Sequence, residues 1–491
     1  MSLQFIIGSS GIGKTHYACE QIIRESMENP QHLYYIIVPE QFTMQTQKNV
    51  VEMHPGKGIL NIDVLSFQRL AYRIFEETGG AREVLLDDTG KSMVLQKLVQ
   101  QHRKNLPYLG SQMNKPGYLD EVKSLISEFM QYDIREEELQ DMLGKTGEDS
   151  LLHMKMQDVG VLYQAFLQYL EGHYMTGEGV MDALKKAIPF SDKLKKSVLL
   201  LDGFTGFTPV QMNVIRELLN VCDKVLVTVT MDAGENPLQL GKPHQLFYMS
   251  RKMIHTLSGL TSNLDDPVLL KDERKGRFGN STSLDFLEKH LFRYRRSVYE
   301  KKQEEICIFA AESPVKELEE TARRIRRLVR EKNLKYGEIA VITGNLEAYK
   351  SIASQVFEES RIPYFLDEKH TILMNPFIEY IRAALEMVTK GFSYESVFRY
   401  LRCDMSGLGR EQVDMLENYV IALGIRGIRK WQEKWVRVYR GMDPEQMEEI
   451  NEIREKFAEE VGLLAEGFSG RKKTVEEYCR CLYEFIVQSQ I

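Results

Sequence analysis

The sequence predicts an α/β fold in which a parallel sheet is interrupted by a helical insertion. Short apolar segments alternate with helical segments in residues 1–82 and again in residues 194–230, whereas the stretch between them has only helical periodicity. Uninterrupted apolar strands that alternate with helices are typical of parallel sheets covered on both faces. A glycine-rich loop also joins the first predicted strand to the first predicted helix, which is the usual setting of a phosphate-binding loop.

Five apolar, β-prone segments are predicted to form the strands of this sheet. The first of them leads through the glycine-rich loop into a helix predicted over residues 15–28. The predicted strands are residues 3–7, 33–38, 61–65, 197–201 and 224–230.

The pattern divides the 491 residues into five segments, and more than one domain is expected at this length. Residues 1–82 and 194–298 form the two parts of the first sheet domain, ending in a polar connector from about residue 260. Residues 83–193 are the helical insertion, because apolar residues recur there every three or four positions. Residues 299–390 begin a second α/β unit, with strands predicted at 306–310 and 339–343. Residues 391–491 are helical again.

Composition limits the classes of function. The net charge is -7, so nucleic-acid binding would depend on local basic groups. The six cysteines are too scattered for a disulfide scaffold, and they do not match a closed metal site. No apolar run approaches the roughly 20 residues that cross a bilayer, and no signal peptide precedes the first strand. We therefore expect a cytoplasmic protein without a membrane span.

The glycine-rich loop matches the pattern G-x-x-x-x-G-K-[ST] without a gap. Its glycines allow backbone N–H groups to turn toward phosphate oxygens, and the following helix adds partial positive charge. Lys14 would neutralise the β- and γ-phosphates, and the Thr15 hydroxyl would ligate Mg²⁺. The sequence thus predicts binding of ATP with Mg²⁺. The predicted nucleotide-binding residues of the loop are Gly8, Ser9, Ser10, Gly11, Ile12, Gly13, Lys14 and Thr15.

Hydrolysis requires a second carboxylate that the expected position does not provide. Asp202 directly follows the strand at 197–201 and would hold the metal together with Thr15. The next residue is Gly203, which has no side chain to polarise the attacking water. We expect this site to bind ATP and to hydrolyse it poorly.

Beyond the loop, several segments resemble the AddB family, one subunit of the bacterial AddAB helicase–nuclease. The resemblance extends over the whole chain in a fixed order. It is carried by residues 5–15, 38–43, 65–73, 201–209, 362–367, 375–376, 416–420 and 424–427.

The resemblance implies a superfamily 1 helicase-like fold, with two RecA-like P-loop domains that each carry a helical insertion. In that scheme residues 1–82 and 194–298 are domain 1A, 83–193 insertion 1B, 299–390 the first part of domain 2A, and 391–491 an incomplete insertion 2B. It also implies an AddA-like partner subunit that carries the active motor. By the same resemblance, the complex is expected to act on single- and double-stranded DNA ends, to resect double-strand breaks for recombinational repair, and to recognise the sequence Chi.

The chain also departs from the family pattern. Family members exceed a thousand residues and end in a nuclease domain with an iron–sulfur cluster held by four cysteines. Cys479 and Cys481 do not match that pattern. The chain is therefore interpreted as an N-terminal fragment without nuclease activity, and the cluster is expected only in the missing C-terminal region.

Candidate DNA-binding residues follow three of the predicted strands, at the sheet edge where ligands bind in open α/β folds. Single-stranded DNA requires aromatic faces for stacking and cations or amides for the backbone and base edges. Other interpretations are core packing for the aromatic residues and a surface ion pair for the arginine. The resemblance favours DNA binding, since the matching family positions read Chi. The candidates are Gln41, Thr43, Phe67, Arg69, Tyr72, Phe204 and Phe207.

Two other functions remain open at this stage. One is an active P-loop ATPase or helicase motor, or a P-loop kinase. Gly203 and the strand end at 228–232, which lacks a glutamine-centred γ-phosphate sensor, stand against a motor, and the second α/β unit with its insertion stands against a kinase. The other is a protein-interaction module with a vestigial loop. A further basic cluster at residues 323–330 is interpreted as an ion-paired helix, with a phosphate-binding track as the alternative.

Overall fold

The computed structural model describes residues 2–80, 83–113, 115, 117–147, 150–232, 234–271, 276–293, 296–367, 372–470 and 473–489. The chain divides into two compact units, Met1–Ile308 and Phe309–Ile491. Of the helices described, none combines the length with the apolar character that a membrane crossing requires.

The first unit is built on a sheet whose strands are all parallel, in the order β3-β2-β6-β7-β1-β8. The α/β prediction is confirmed, and all five predicted strands are present. A sixth strand, β8, lies in the segment that the sequence pattern indicated as a connector. The strands are β1 (Ser2–Gly8), β2 (Leu33–Ile37), β3 (Ile62–Leu65), β6 (Ser197–Leu201), β7 (Lys224–Thr230) and β8 (Val268–Leu269).

Helices cover both faces of this sheet, as its apolar strands require. One face packs against α1 and α2, and the other against α3, α9, α10 and α11. Strands β1, β2, β6 and β7 are largely buried on both sides, so their side chains contribute to two separate cores. These helices are α1 (Lys14–Glu28), α2 (Thr43–Met53), α3 (Phe67–Thr78), α9 (Gly179–Ala187), α10 (Pro209–Val221) and α11 (Tyr248–Ser258).

The insertion between β3 and β6 is helical, as predicted, and has its own apolar core. It also contains a short parallel pair of strands, β4 (Val84–Leu86) and β5 (Tyr174–Thr176), which periodicity did not indicate. Its helices are α4 (Asp88–His102), α5 (Leu109–Gln112), α6 (Tyr118–Gln131), α7 (Glu136–Gly144) and α8 (Leu151–Leu170). After β8 the unit adds α12 (Thr282–His290).

The second unit is helical in the part of it that the structure describes. A helical pair, α13 and α14, has a small core of its own, and α15 to α20 pack around a larger one that includes Trp431 and Trp435. On α13, Arg323 and Arg324 both pair with Glu320, which supports the ion-paired interpretation of this helix. The helices are α13 (Pro314–Lys332), α14 (Leu346–Glu359), α15 (Pro376–Thr389), α16 (Tyr394–Leu401), α17 (Arg410–Leu423), α18 (Ile428–Gln432), α19 (Gln446–Gly467) and α20 (Val475–Gln488).

The prediction of two strands within residues 299–390 is wrong for the described residues. Segments 306–310 and 339–343 have the right composition, but neither is paired with another strand among the described residues. Their side chains are largely exposed, including Ile308 at 94% and Ile342 at 92%. Composition favours a strand only where neighbouring strands and a packed face stabilise it.

Candidate functional site

Because the strands of the first sheet are parallel, the segments that carry the predicted site residues lie at one edge of it. Gly8 at the end of β1 pairs with Thr230 of β7, and Ile37 of β2 pairs with Leu201 of β6. The glycine-rich loop, Asp202 and the segments after β2 and β3 therefore all emerge at the carboxyl ends of the strands. Ligands of open α/β sheets bind at this edge.

The glycine-rich loop has the backbone that its sequence requires. Gly11 and Gly13 have φ values of 74° and 98°, a region that other residues rarely adopt. The loop then leads into α1, which begins at Lys14. The Lys14 ammonium donates to the Ser9 carbonyl at 2.9 Å, so the lysine folds back over the loop.

Thr15 and Asp202 are in direct contact. The Thr15 hydroxyl lies 3.0 and 2.9 Å from the two oxygens of the Asp202 carboxylate, and Asp202 is only 5% exposed. A second hydroxyl, that of Thr228 in β7, donates to the same carboxylate at 2.6 Å. Nothing in the sequence pattern singled out Thr228, because a threonine within an apolar strand is ordinary strand composition.

The charge of Lys14 is poorly compensated. Burial lowers the pKa of the Lys14 ammonium, and the carboxylates of Asp202 and Glu288 only partly oppose that shift. Burial of a cation without full compensation favours binding of a further anion. Nearby Cys19 is a different case, since burial raises the pKa of its thiol to about 12, and it remains a protonated, inert side chain.

Gly203 has a left-handed backbone conformation that other residues rarely adopt. Its φ is +78°, and a Cβ there would approach Pro39 at 3.7 Å, an ordinary contact. A side chain at this position is therefore disfavoured by the positive φ of the backbone and not by a lack of room around it. The Gly203 N–H donates to the Thr228 hydroxyl at 3.4 Å, so the turn is joined to the same network as Asp202.

Residues after β8 also contact the loop, which the sequence did not indicate. The Arg277 N–H donates to the Gly11 carbonyl at 2.8 Å, and the Ser10 N–H donates to the Glu288 carboxylate at 3.2 Å. A cavity of about 550 Å³ lies beside Lys14 and Thr15, and Arg277 contributes to its wall.

Three of the candidate DNA-binding residues form an aromatic cluster. The ring centroids of Phe67 and Phe204 are 5.6 Å apart, those of Phe204 and Phe207 are 5.0 Å apart, and those of Phe67 and Phe207 are 6.3 Å apart. Phe67 is buried, whereas Phe204 and Phe207 are half-buried at the margin of the core. The rings of Phe204 and Phe207 are therefore more accessible than that of Phe67.

The other candidates differ in exposure. Gln41 is exposed, Arg69 is exposed and pairs with Glu40 at 3.4 Å, and Tyr72 is 40% exposed. The Thr43 side chain is buried, and its hydroxyl donates to the Glu40 carbonyl.

A second cavity, of about 390 Å³, adjoins the aromatic cluster. Besides Phe67 and Phe204, its wall includes the side chains of Gln68, Gln131 and Glu178. These polar residues were not identified from the sequence. Glutamine amides at such positions are suited to hydrogen bonds with base edges.

Glu178 is also part of a buried ion pair that joins the insertion to the sheet domain. The ammonium of Lys91, on α4, lies 3.0 Å from both carboxylate oxygens of Glu178, which precedes α9. Burial alone would raise the pKa of Glu178, but the hydrogen bonds and charge of Lys91 lower it below its ordinary value. Both side chains are largely buried, so removing either one would leave the other without its main charged partner.

The family comparisons agree with this arrangement. Residues 5–288 match the family model "ADDB, N-terminal", and residues 280–487 match "UvrD-like helicase C-terminal domain". The second match supports a superfamily 1 helicase-like fold.

Curated relatives are named as a subunit of an "ATP-dependent helicase/deoxyribonuclease". The chain is 41% identical to that of Lachnoclostridium phytofermentans over 99% of its length. It is 34% identical to that of Caldanaerobacter subterraneus over its full length, and 33% identical to that of Clostridium novyi over 99%. The chain spans 43%, 43% and 42% of the length of these three relatives, respectively. With its P-loop, its parallel sheet and these matches, the chain belongs to the AddB family.

Proposed function

We propose that this chain binds ATP with Mg²⁺ and single-stranded DNA as part of a helicase–nuclease that resects DNA ends, and that its own site hydrolyses ATP poorly. The proposal of ATP binding rests on the geometry of the phosphate-binding loop and its neighbours. Positive-φ glycines, the N-terminus of α1, the lysine Lys14 and the Thr15–Asp202 pair all occur at one strand end.

The oxygen ligands at this site suit magnesium. Mg²⁺ is bound in proteins by oxygen ligands, including carboxylates, and hydroxyl and carboxylate oxygens are the groups present here. The Thr15 hydroxyl lies 2.9 Å from the nearer oxygen of Asp202. Thr15 would bind the ion directly, Asp202 would bind it directly or through water, and Thr228 would orient the carboxylate. The ion would supply charge neutralisation for the β- and γ-phosphates.

Equilibrium titration of ATP, with and without Mg²⁺, tests this part of the proposal. The full chain should bind ATP more tightly with Mg²⁺ than with EDTA, and Lys14→Ala should abolish or greatly weaken binding. Arg24→Ala is a matched control, since Arg24 is exposed on the same helix α1. Equal binding by all three proteins would place the nucleotide elsewhere.

The DNA part of the proposal rests on the half-buried rings of Phe204 and Phe207 and on the exposed side chains of Gln41, Arg69 and Tyr72. The rings would stack on bases, and the arginine would contact a phosphate. Thr43 and Phe67 would support this surface from beneath, because both are buried. We propose that this surface reads Chi in a complex with an AddA-like partner. The names of the relatives support a partner, since each describes one subunit of a larger enzyme.

Fluorescence anisotropy with a labelled oligo-dT strand tests the surface. Phe204→Ala should cost about 1–3 kcal/mol of binding free energy. Arg69→Ala should weaken binding and reduce the slope of log K against log salt by about 0.7. Arg24→Ala again serves as the control. If Arg69→Ala and Arg24→Ala weaken DNA binding equally, Arg69 acts only through net charge. The assignment of the DNA-binding surface to this region is then wrong.

A further inference from the structure

The segment formed by residues 276–293 lies against the glycine-rich loop, and we call it the covering segment. Its backbone approaches the loop closely: a Cβ on Gly276 would come within 2.9 Å of the Gly11 carbonyl oxygen. The Arg277 N–H donates to that same carbonyl at 2.8 Å. The Phe278 ring also lies close to Gly11, 2.9 Å from the position that a Cβ would take. The two glycines thus permit close contact between the covering segment and the loop.

The far end of the covering segment is also held against the sheet. The Arg293 guanidinium donates to both carboxylate oxygens of Asp232, at 3.0 and 2.8 Å, just beyond the end of β7. The same guanidinium lies 5.0 Å from the centroid of the Phe247 ring. The covering segment is therefore fixed at its two ends, with α12 between them.

Between these two anchors, Glu288 of α12 is directed at the phosphate-binding loop. Its carboxylate accepts a hydrogen bond from the Ser10 N–H, one of the loop amides. It also acts on Lys14, where its charge partly offsets the effect of burial on the ammonium pKa. A carboxylate that accepts from a loop amide and faces the loop lysine makes the type of interaction that a phosphate oxygen makes.

We propose that Glu288 determines the nucleotide affinity of this loop by competing with the γ-phosphate end of a triphosphate. This inference rests on the proposed binding of ATP at the loop. A triphosphate brings several negative charges to a loop that already holds one carboxylate. Binding therefore requires the Glu288 side chain to leave the Ser10 amide, so α12 loses this contact with the loop while the two ends of the covering segment stay in place.

Isothermal titration with ATP and Mg²⁺ tests the proposal on the full chain. Glu288→Gln keeps the shape of the side chain and removes its charge. It should tighten ATP binding about tenfold, equivalent to about 1.4 kcal/mol. Asp285→Asn is the matched control, because it removes one negative charge one turn earlier on α12, where the carboxylate pairs with Lys289. That variant should change the dissociation constant less than about twofold.

Hydrogen exchange provides an independent readout. Peptides from residues 276–290 should exchange faster when ATP is added to the wild-type chain, since α12 loses the contact between Glu288 and Ser10. In Glu288→Gln, the same peptides should already exchange faster without ATP, because the contact with Ser10 is weakened.

Each other outcome contradicts the proposal. If Glu288→Gln and Asp285→Asn tighten binding equally, the effect is one of general charge. If Glu288→Gln leaves the affinity unchanged and abolishes a slow hydrolysis, Glu288 is a catalytic base. If wild-type binding depends on Lys14 but not on Glu288, only this proposal fails. If neither wild type nor Glu288→Gln binds ATP, the proposed function fails with it.

Discussion

Replacing Thr228 with valine tests whether this buried hydroxyl holds Asp202 in place. Valine keeps the branched shape and the strand preference of threonine, so β7 should remain intact. The substitution removes the donor that lies 2.6 Å from the Asp202 carboxylate, and it removes the acceptor of the Gly203 N–H. A hydrogen bond to a charged group contributes about 1.5–3 kcal/mol. We expect Thr228→Val to lower the local unfolding free energy by about 2 kcal/mol.

Native-state hydrogen exchange measures this quantity locally, which matters because the chain has two compact units. Protection of peptides covering β6 and β7 should fall about thirtyfold in Thr228→Val, the equivalent of about 2 kcal/mol. Thr230→Val is the control, since it lies two residues later in β7 with an exposed side chain. It should change the free energy by less than about 0.5 kcal/mol. Equal protection in the two variants would refute the role of Thr228.

The remaining predictions concern the ion pair and the loop. Lys91→Met should destabilise the first unit by about 3–5 kcal/mol in urea unfolding, because Glu178 is left charged and buried. The double variant with Lys91→Met and Glu178→Leu should recover most of that stability. A double variant as unstable as Lys91→Met would contradict the role of the ion pair. Because the pKa of Glu178 is lowered by folding, its contribution is present above the ordinary value of 4.5 and is lost as the pH falls through the lowered value. In Lys91→Met, burial should instead raise the pKa of Glu178, so Glu178 should no longer cause a loss of stability as the pH falls. If the dependence of the unfolding free energy on pH is the same in Lys91→Met and wild type, the ion pair does not have this role. Gly11→Ala should cost at least about 1–2 kcal/mol from its positive φ, with a further cost from the contact with Phe278; unchanged thermal unfolding would contradict this.

The sequence predicted much of the first unit, because its strands and helices differ sharply in apolar pattern. It also predicted that Thr15 and Asp202 lie together, since a P-loop and a strand-terminal aspartate have fixed places in a parallel sheet. Thr228 and Glu288 could not be found in this way. Thr228 is a polar residue in an apolar strand, and Glu288 reaches the loop from a segment 278 residues away from Ser10.

The second unit shows the opposite limit of sequence patterns. The helical character of residues 391–491 and of the ion-paired helix α13 was predicted from local periodicity, whereas α14 and α15 lie in a segment that was predicted as an α/β unit. The segments 306–310 and 339–343 have strand composition but no pairing among the described residues, because pairing depends on neighbours that composition does not specify. For the DNA-binding candidates, pattern alone could not separate buried Phe67 from half-buried Phe204, since both follow strands of the same sheet.

A single-turnover experiment tests the central claim, that the phosphate-binding loop binds ATP but the site lacks the carboxylate that would activate water. The full chain, in excess over γ-³²P-labelled ATP with Mg²⁺, is sampled over time for released phosphate. Loss of a general base typically slows a reaction about 10²–10⁴-fold, so the retained nucleotide should remain ATP far longer than in an active motor, and Lys14→Ala should retain none. Phosphate release at the usual enzymatic rate of about 1–10³ s⁻¹, abolished by Lys14→Ala, would contradict the account.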